Sequence, residues 1–291
     1  MSPTRSQARG QAVLSIQSQV AWGHVGNSAA TLPLQRLGFD VIAINTVQLA
    51  HHPGHGSWCG YKVEPERVAQ ILEGVVRRGA LGRCGAIISG YLGEAAVGAI
   101  VLDAVAALRA ARPGALYLCD PVIGDDGPGV FVSSGIPELI RDALVPAADV
   151  VTPNRFELAF LSSLPVTTLA EARRAAGALR TRGPRLVVAT GLGLADDPGL
   201  AVLADGAEGA WLITTPRLPI APGGTGDAFS ALFLGHYLRS GDVGLALERA
   251  VSAMFDLVER TRASGADELC LVAAQNAFDP PTPRFRAQRL D

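Results

Sequence analysis

The sequence has 291 residues, long enough for one large α/β domain or two small ones with a well-buried core. Hydrophobic residues make up 48% and charged residues 18%, and the formal net charge of -2 argues against nucleic acid or an anionic membrane as partner. Lys62 is the only lysine, which excludes a Walker-A phosphate loop, because that loop needs a Lys directly after its last Gly.

In chain order, residues 1–11 are polar and lack the apolar core of a signal peptide, so a disordered lead-in is expected there. Residues 12–291 show no repeat or linker and are expected to form one domain. Ala12–Ile16, Val41–Thr46, Ala86–Ser89, Leu116–Cys119, Val150–Val151 and Leu186–Ala189 are short apolar runs that read as buried strands. Between them, Ser28–Leu37, Pro65–Arg78, Glu94–Arg112, Gly135–Leu144, Asn154–Leu161 and Leu169–Arg182 carry helical spacing. This alternation predicts an α/β fold with a mainly parallel sheet and helices on both faces. Leu200–Leu203 and Ala210–Ile213 read as an antiparallel hairpin around Asp205-Gly206. Two long helices are expected over Thr225–Leu238 and Val243–Arg262.

The stretch from Gly85 to Ala111 is the most apolar, but Glu94, Asp103 and Arg109 break it, so no segment is expected to span a bilayer. Cys59, Cys84, Cys119 and Cys270 include no C-x-x-C pair, which reads as reduced thiols in a cytoplasmic protein, three of them packing residues. Gln48 to Lys62 (QLAHHPGHGSWCGYK) breaks every period. It reads as a lid, residues 48–62, in preference to an ordinary surface hairpin.

Three clusters carry chemistry. The run Gly224-Thr225-Gly226-Asp227 opens an apolar helix. Its glycines let successive N–H groups converge, and at a helix N-terminus those donors hold an anion such as a transferring phosphate. An Asp in the first turn can take a proton from an attacking hydroxyl. Asp120 ends a strand, with Asp125 in the turn beyond, at the sheet edge where α/β proteins bind ligands. Thr152-Pro153-Asn154 ends another strand, and Asn154 and Glu157 share a helical face, so oxygen ligands on two neighbouring strand ends suit Mg²⁺. Taken alone, the sites at Asp120 and Asn154 read as a turn and a helix cap, and Gly224–Asp227 could equally be a capped loop. The three together favour phosphoryl transfer.

These motifs, with Ser15-Ile16-Gln17-Ser18, Gly23-His24-Val25-Gly26-Asn27-Ser28-Ala29-Ala30, Asn45-Thr46-Val47-Gln48 and Ser89-Gly90-Tyr91-Leu92, resemble the pyridoxal kinases of the ribokinase-like superfamily nearly end to end. The resemblance implies a three-layer α/β/α sandwich with a mostly parallel central sheet, usually as a homodimer. It also implies transfer of the ATP γ-phosphate to the 5′-hydroxymethyl of pyridoxal, giving pyridoxal 5′-phosphate. By position, Asp227 would be the base and Gly224, Thr225 and Gly226 the anion hole. Ser18, Val47, Leu49, Pro53, Gly54 and Tyr91 would form the vitamin site. Asp120, Asp125, Thr152, Asn154, Glu157 and Thr190 would serve ATP, with Asp120 and Glu157 towards Mg²⁺. Where the family usually has Asn-His-Thr in the lid, this chain reads His51-His52-Pro53-Gly54-His55, and Pro53 offers neither hydroxyl nor N–H. Thr190 stands where some relatives have Lys.

Two other functions compete. Hydroxymethylpyrimidine kinases of the same superfamily usually carry Cys at the position of Asp227, and a non-catalytic binder of a B6 vitamer would not need that Asp. His24 reads either as a substrate contact or as a loop His bonded to backbone. His51, His52 and His55 lack the fourth ligand of a zinc site. Gly191-Leu192-Gly193 reads as a turn, not a dinucleotide fingerprint, and nothing in the sequence marks Cys59 as reactive.

Overall fold

Strands in the middle of this chain are apolar on both sides, and the structure uses both sides. The structure is a computed structural model that describes residues 12–195, 197–280 and 282–291, so the expected lead-in lies outside the described residues. In order, the chain forms β1 (Ala12–Val20), α1 (Asn27–Arg36), β2 (Asp40–Leu49), a 3-10 turn (Pro53–His55), β3 (Gly60–Lys62), α2 (Pro65–Arg77), β4 (Cys84–Ser89) and α3 (Ala96–Ala111). Then come β5 (Leu116–Cys119), the two-residue strands β6 (Gly124–Asp125) and β7 (Gly129–Val130), α4 (Ile136–Leu139), a π-helical turn (Ile140–Leu144), α5 (Val145–Ala147), β8 (Val150–Val151), α6 (Arg155–Ser162) and α7 (Leu169–Arg180). The last third holds β9 (Leu186–Leu192), β10 (Leu200–Gly206), β11 (Gly209–Thr215), α8 (Thr225–Ser240), α9 (Val243–Ser264), α10 (Leu271–Ala274) and β12 (Gln288–Leu290).

One sheet runs β12-β11-β10-β9-β8-β5-β4-β1-β2-β3. From β9 to β2 every pairing is parallel, and antiparallel strands extend both edges. Side chains alternate between faces. Leu14, Ile87, Tyr117, Val151 and Val187 point into a core shared with α2, α3, α6 and α7. Val13, Ile88, Leu118, Val150 and Val188 point into a second core shared with α1, α8, α9 and α10. The result is the expected three-layer α/β/α sandwich with a mostly parallel central sheet. No helix among the described residues is long and apolar enough to cross a membrane.

Several expected boundaries shift. β1 runs on to Val20 and β2 to Leu49, past the ends that apolar content marks, because the two stay paired beyond a register shift at Gln17–Gln19. Gln48 and Leu49 therefore belong to β2, and 60–62 pair back on it as β3, so only 50–59 of the expected lid leaves the sheet. The hairpin turn falls at Ala207-Glu208, since Asp205 and Gly206 are still paired in β10. The expected helix over Gly135–Leu144 is interrupted by the π turn, and Pro146 follows within α5. β12 is too short and polar to be read from sequence.

Candidate active site

Parallel strands deliver their carboxyl ends to one edge of the sheet, and here the chain reverses its direction of growth at β1, with β2 on one side and β4 on the other. Such a switch point opens a crevice above the strand ends. A cleft of about 940 Å³ lies there, walled by the ends of β1, β5, β8 and β9, the start of α8 and the segment after β2.

Gly224 caps α8 at φ 83°, a conformation that favours glycine. A Cβ on it would stand 1.8 Å from the carbonyl oxygen of His24, so the β1–α1 loop lies directly on the cradle. Thr225 and Gly226 begin the helix and line the cleft, and the first-turn N–H groups of a helix have no intrahelical partners. Behind them Ala228 to His236 are all buried, which fixes the helix firmly. Asp227 stands at the cleft wall. Burial raises its carboxyl above the ordinary range, while the Gly26 amide and nearby His52 pull it back down.

Asp120 follows β5 and is buried, and burial together with the charge of Asp227 pushes its carboxyl up to about 8. Ser230, one turn into α8 from Gly226, donates to Asp120 Oδ2 at 2.9 Å, and Thr152 Oγ1 lies 2.8 Å from Ser230 Oγ. Asn154 and Glu157 form a capping box at the start of α6. Glu157 Oε1 accepts the Ile123 amide and Oε2 the Asn154 amide, each at 2.9 Å, while Asn154 Nδ2 donates to the Gly124 carbonyl at 2.8 Å. Glu157 is buried, and burial with the Asp120 charge raises its carboxyl well above the ordinary range despite those amides. Thr190 continues β9 into a parallel bridge with Asn154. Asp125 lies exposed on β6, at the rim.

The other end of the cleft is apolar. Val20, Val25, Val47 and Leu49 form a separate small cluster against Tyr91, and Ser18 adds its hydroxyl beside Gly26. Pro53 and Gly54 lie in the 3-10 turn above it, and the turn has no buried residue. His52 caps the turn through Nδ1, which accepts the Gly54 amide at 3.2 Å, and packs 3.4 Å from where a Gly223 Cβ would stand. His55 Nε2 donates to Glu268 Oε1 at 2.5 Å and its ring tilts against Trp22 at 5.3 Å. The His residues of this segment are thus used by ring and hydrogen-bond contacts, and no cluster of three or more potential metal-ligating His, Cys, Asp or Glu side chains occurs among the described residues. The His24 amide donates to Glu268 Oε2, while its Nδ1 is buried with no partner among the described residues.

The structure therefore brings every sequence-expected residue to the one cleft. Two residues that the motifs did not assign bear on that cleft, Ser230 through its bond to Asp120 and Glu268 on the cleft wall. Ser230 sits within the helix-opening run and could have been found from its i, i+4 spacing to Gly226. Glu268 is 244 residues from the His24 amide it accepts, and no local signal marks it.

Comparison with known proteins gives a consistent picture. The phosphomethylpyrimidine kinase family model matches residues 42–268. The chain is 48% identical over 287 residues to a pyridoxal kinase of Deinococcus radiodurans, covering 96% of each, and 47% identical to one of Rubrobacter xylanophilus, covering 98% of this chain and 99% of that one. The pyridoxal kinase of Leishmania donovani in complex with ADP and ginkgotoxin superimposes with a TM-score of 0.91 at 34% identity, over 97% of this chain and 100% of that one. The same enzyme with ADP and pyridoxamine gives 0.90 at 33%. The chain belongs to the phosphomethylpyrimidine kinase family and, within it, to the pyridoxal kinases.

Proposed function

We propose that this protein transfers the γ-phosphate of ATP to the 5′-hydroxymethyl of pyridoxal, giving pyridoxal 5′-phosphate and ADP. The observation that carries it is the placement of Asp227: its carboxylate shares one cleft with the glycine-rich first turn of α8 and with the apolar side chains of Val25, Val47, Leu49 and Tyr91. Relatives with up to 48% identity bear this activity in their names, and a structural neighbour holds ADP with a B6 vitamer.

The chain's own groups supply each part of the step. Val47, Leu49 and Tyr91 take the ring, with Ser18 at its edge. Asp227 takes the proton of the 5′-hydroxyl as that oxygen attacks phosphorus and the bond to the ADP oxygen breaks; its raised affinity for protons suits a base. The amides of Gly224, Thr225 and Gly226 point at the transferring phosphate, where positive partial charge is needed. Asn154 and Thr190, bridged at the ends of β8 and β9, face the nucleotide with Thr152 and the rim acid Asp125. Residues 12–291 act as one kinase domain, and 48–62 as its substrate lid.

Asp120 and Glu157 fit a bound Mg²⁺: both acids are buried in one cleft, the charge of Asp120 raises the proton affinity of Glu157, and neither has a salt bridge among the described residues. Glu157, with both oxygens on amides, would engage it through water. When bound, Mg²⁺ would neutralise charge on the nucleotide phosphates. The same reading carries a homodimer and a cytoplasmic location. The edge strand β3, with Tyr61 60% exposed, is a surface a second copy could cover.

A hydroxymethylpyrimidine kinase is the second reading, suggested by the description of the matching family model. Asp227 in place of Cys favours the first. Steady-state assay with Mg-ATP and each acceptor decides: pyridoxal is expected to give the higher kcat/KM, and turnover of the pyrimidine alone, or tight pyridoxal binding without phosphate transfer, would overturn the assignment.

A further inference from the structure

Glu268 lies between α9 and α10, where its neighbours Leu269 and Leu271 are buried in the core and the Cys270 amide is held by Thr261 Oγ1 at 3.1 Å. The backbone carrying it is therefore fixed. Its side chain is 15% exposed, and both carboxylate oxygens are engaged, by different segments. Oε1 accepts from His55 of the lid at 2.5 Å, and Oε2 accepts the backbone amide of His24 in the β1–α1 loop at 2.9 Å. Gly23 makes room for this: a Cβ there would fall 2.5 Å from the carboxyl group. The His55 ring also tilts against Trp22 of the same β1–α1 loop.

The β1–α1 loop held in this way reaches the cradle twice. The His24 carbonyl rests on Gly224, and the Gly26 amide meets the Asp227 carboxylate. We propose that Glu268 is a positioning residue, which latches the closed lid through His55 onto the same loop that seats Gly224 and Asp227. The kinetic part of its test rests on the kinase reading; the exchange part does not. Lid closure and cradle geometry then share one carboxylate, and the lid, with no buried residue of its own over 53–55, depends on it to stay down.

Hydrogen exchange of the ligand-free protein reads the latch directly. Glu268→Ala and His55→Ala are each expected to speed amide exchange across 51–59 by about fivefold or more, while the amides of α8 keep their protection. In steady state both variants should raise the KM for pyridoxal by roughly fivefold; His55→Ala should keep kcat and the KM for ATP within about twofold, whereas Glu268→Ala, which also frees the His24 amide, should lower kcat by roughly threefold or more. The double variant should be no worse than Glu268→Ala alone, because both substitutions cut the same link. Glu268→Gln, which keeps the shape and one acceptor, stands in where Glu268→Ala does not fold, with lid exchange still faster by about twofold. Unchanged lid exchange in the single variants, or effects that multiply in the double variant, overturns the latch. If pyridoxal proves not to be a substrate, the exchange results alone decide.

Discussion

The floor and the roof of the cleft are built in opposite ways. The floor is the start of α8, a helix buried on all sides from Ala228 to His236 and packed between α1 and α9. The roof is residues 50–59, a segment with a short 3-10 turn and no buried residue over Pro53–His55, held by a few side-chain contacts. Groups that stabilise a transition state need fixed positions, and burial supplies them at the floor. A roof must open to admit the acceptor, and a lightly held segment can. Substitutions below should therefore act on kcat, and substitutions above on KM.

The largest effect is expected at the floor. Asp227→Asn should lower kcat by roughly 10³-fold while the dissociation constant for ATP, read by calorimetry, moves by no more than about threefold. A parallel loss of ATP affinity would show that Asp227 holds the helix start together instead.

The buried acids Asp120 and Glu157 should reveal themselves through pH. The Asp120 carboxyl is raised to about 8 in the fold from an ordinary value near 3.8, so the folded protein binds a proton that the unfolded chain releases. That stabilisation is complete below about pH 4 and is lost as pH rises towards 8. The ligand-free protein should therefore lose stability over this window, by an amount on the order of 5 kcal/mol or roughly 8 °C in melting temperature. Asp120→Asn should flatten the profile, since it also removes the charge that raises Glu157. A wild-type profile already flat across the window would contradict the buried acid pair.

The smallest effect belongs to the roof. Pro53→Thr restores a hydroxyl over the apolar pocket and should lower the KM for pyridoxal by roughly threefold without changing kcat. A change in kcat of the same size would erase the distinction between roof and floor.

How much of this could be read from sequence follows the same division. The buried strands and the amphipathic helices announce themselves by period, because each residue's environment is set by its neighbours along the chain. The strand-end acids and Gly224–Asp227 were visible because turn chemistry and helix starts are local. What stayed hidden was non-local. β2 keeps Gln48 and Leu49 only because β1 and β3 pair with them. The turn at Ala207-Glu208 carries none of the residues that usually mark hairpins, so Asp205-Gly206 misled by two positions. Glu268 acquires its role from His24 and His55, both more than two hundred residues earlier.

The capping box at α6 bears on how such a protein would change over generations. Glu157 is tied to the Ile123 and Asn154 amides, so its loss would unpair one buried and one part-buried donor and loosen a helix start whatever the protein binds. Selection for folding alone would then keep it, even in a descendant that had stopped turning over substrate. Asp227 takes part in far less of the scaffold, and drift would reach it first. In a relative of unknown activity, the residue at the position of Asp227 carries the news, and the one at Glu157 is silent.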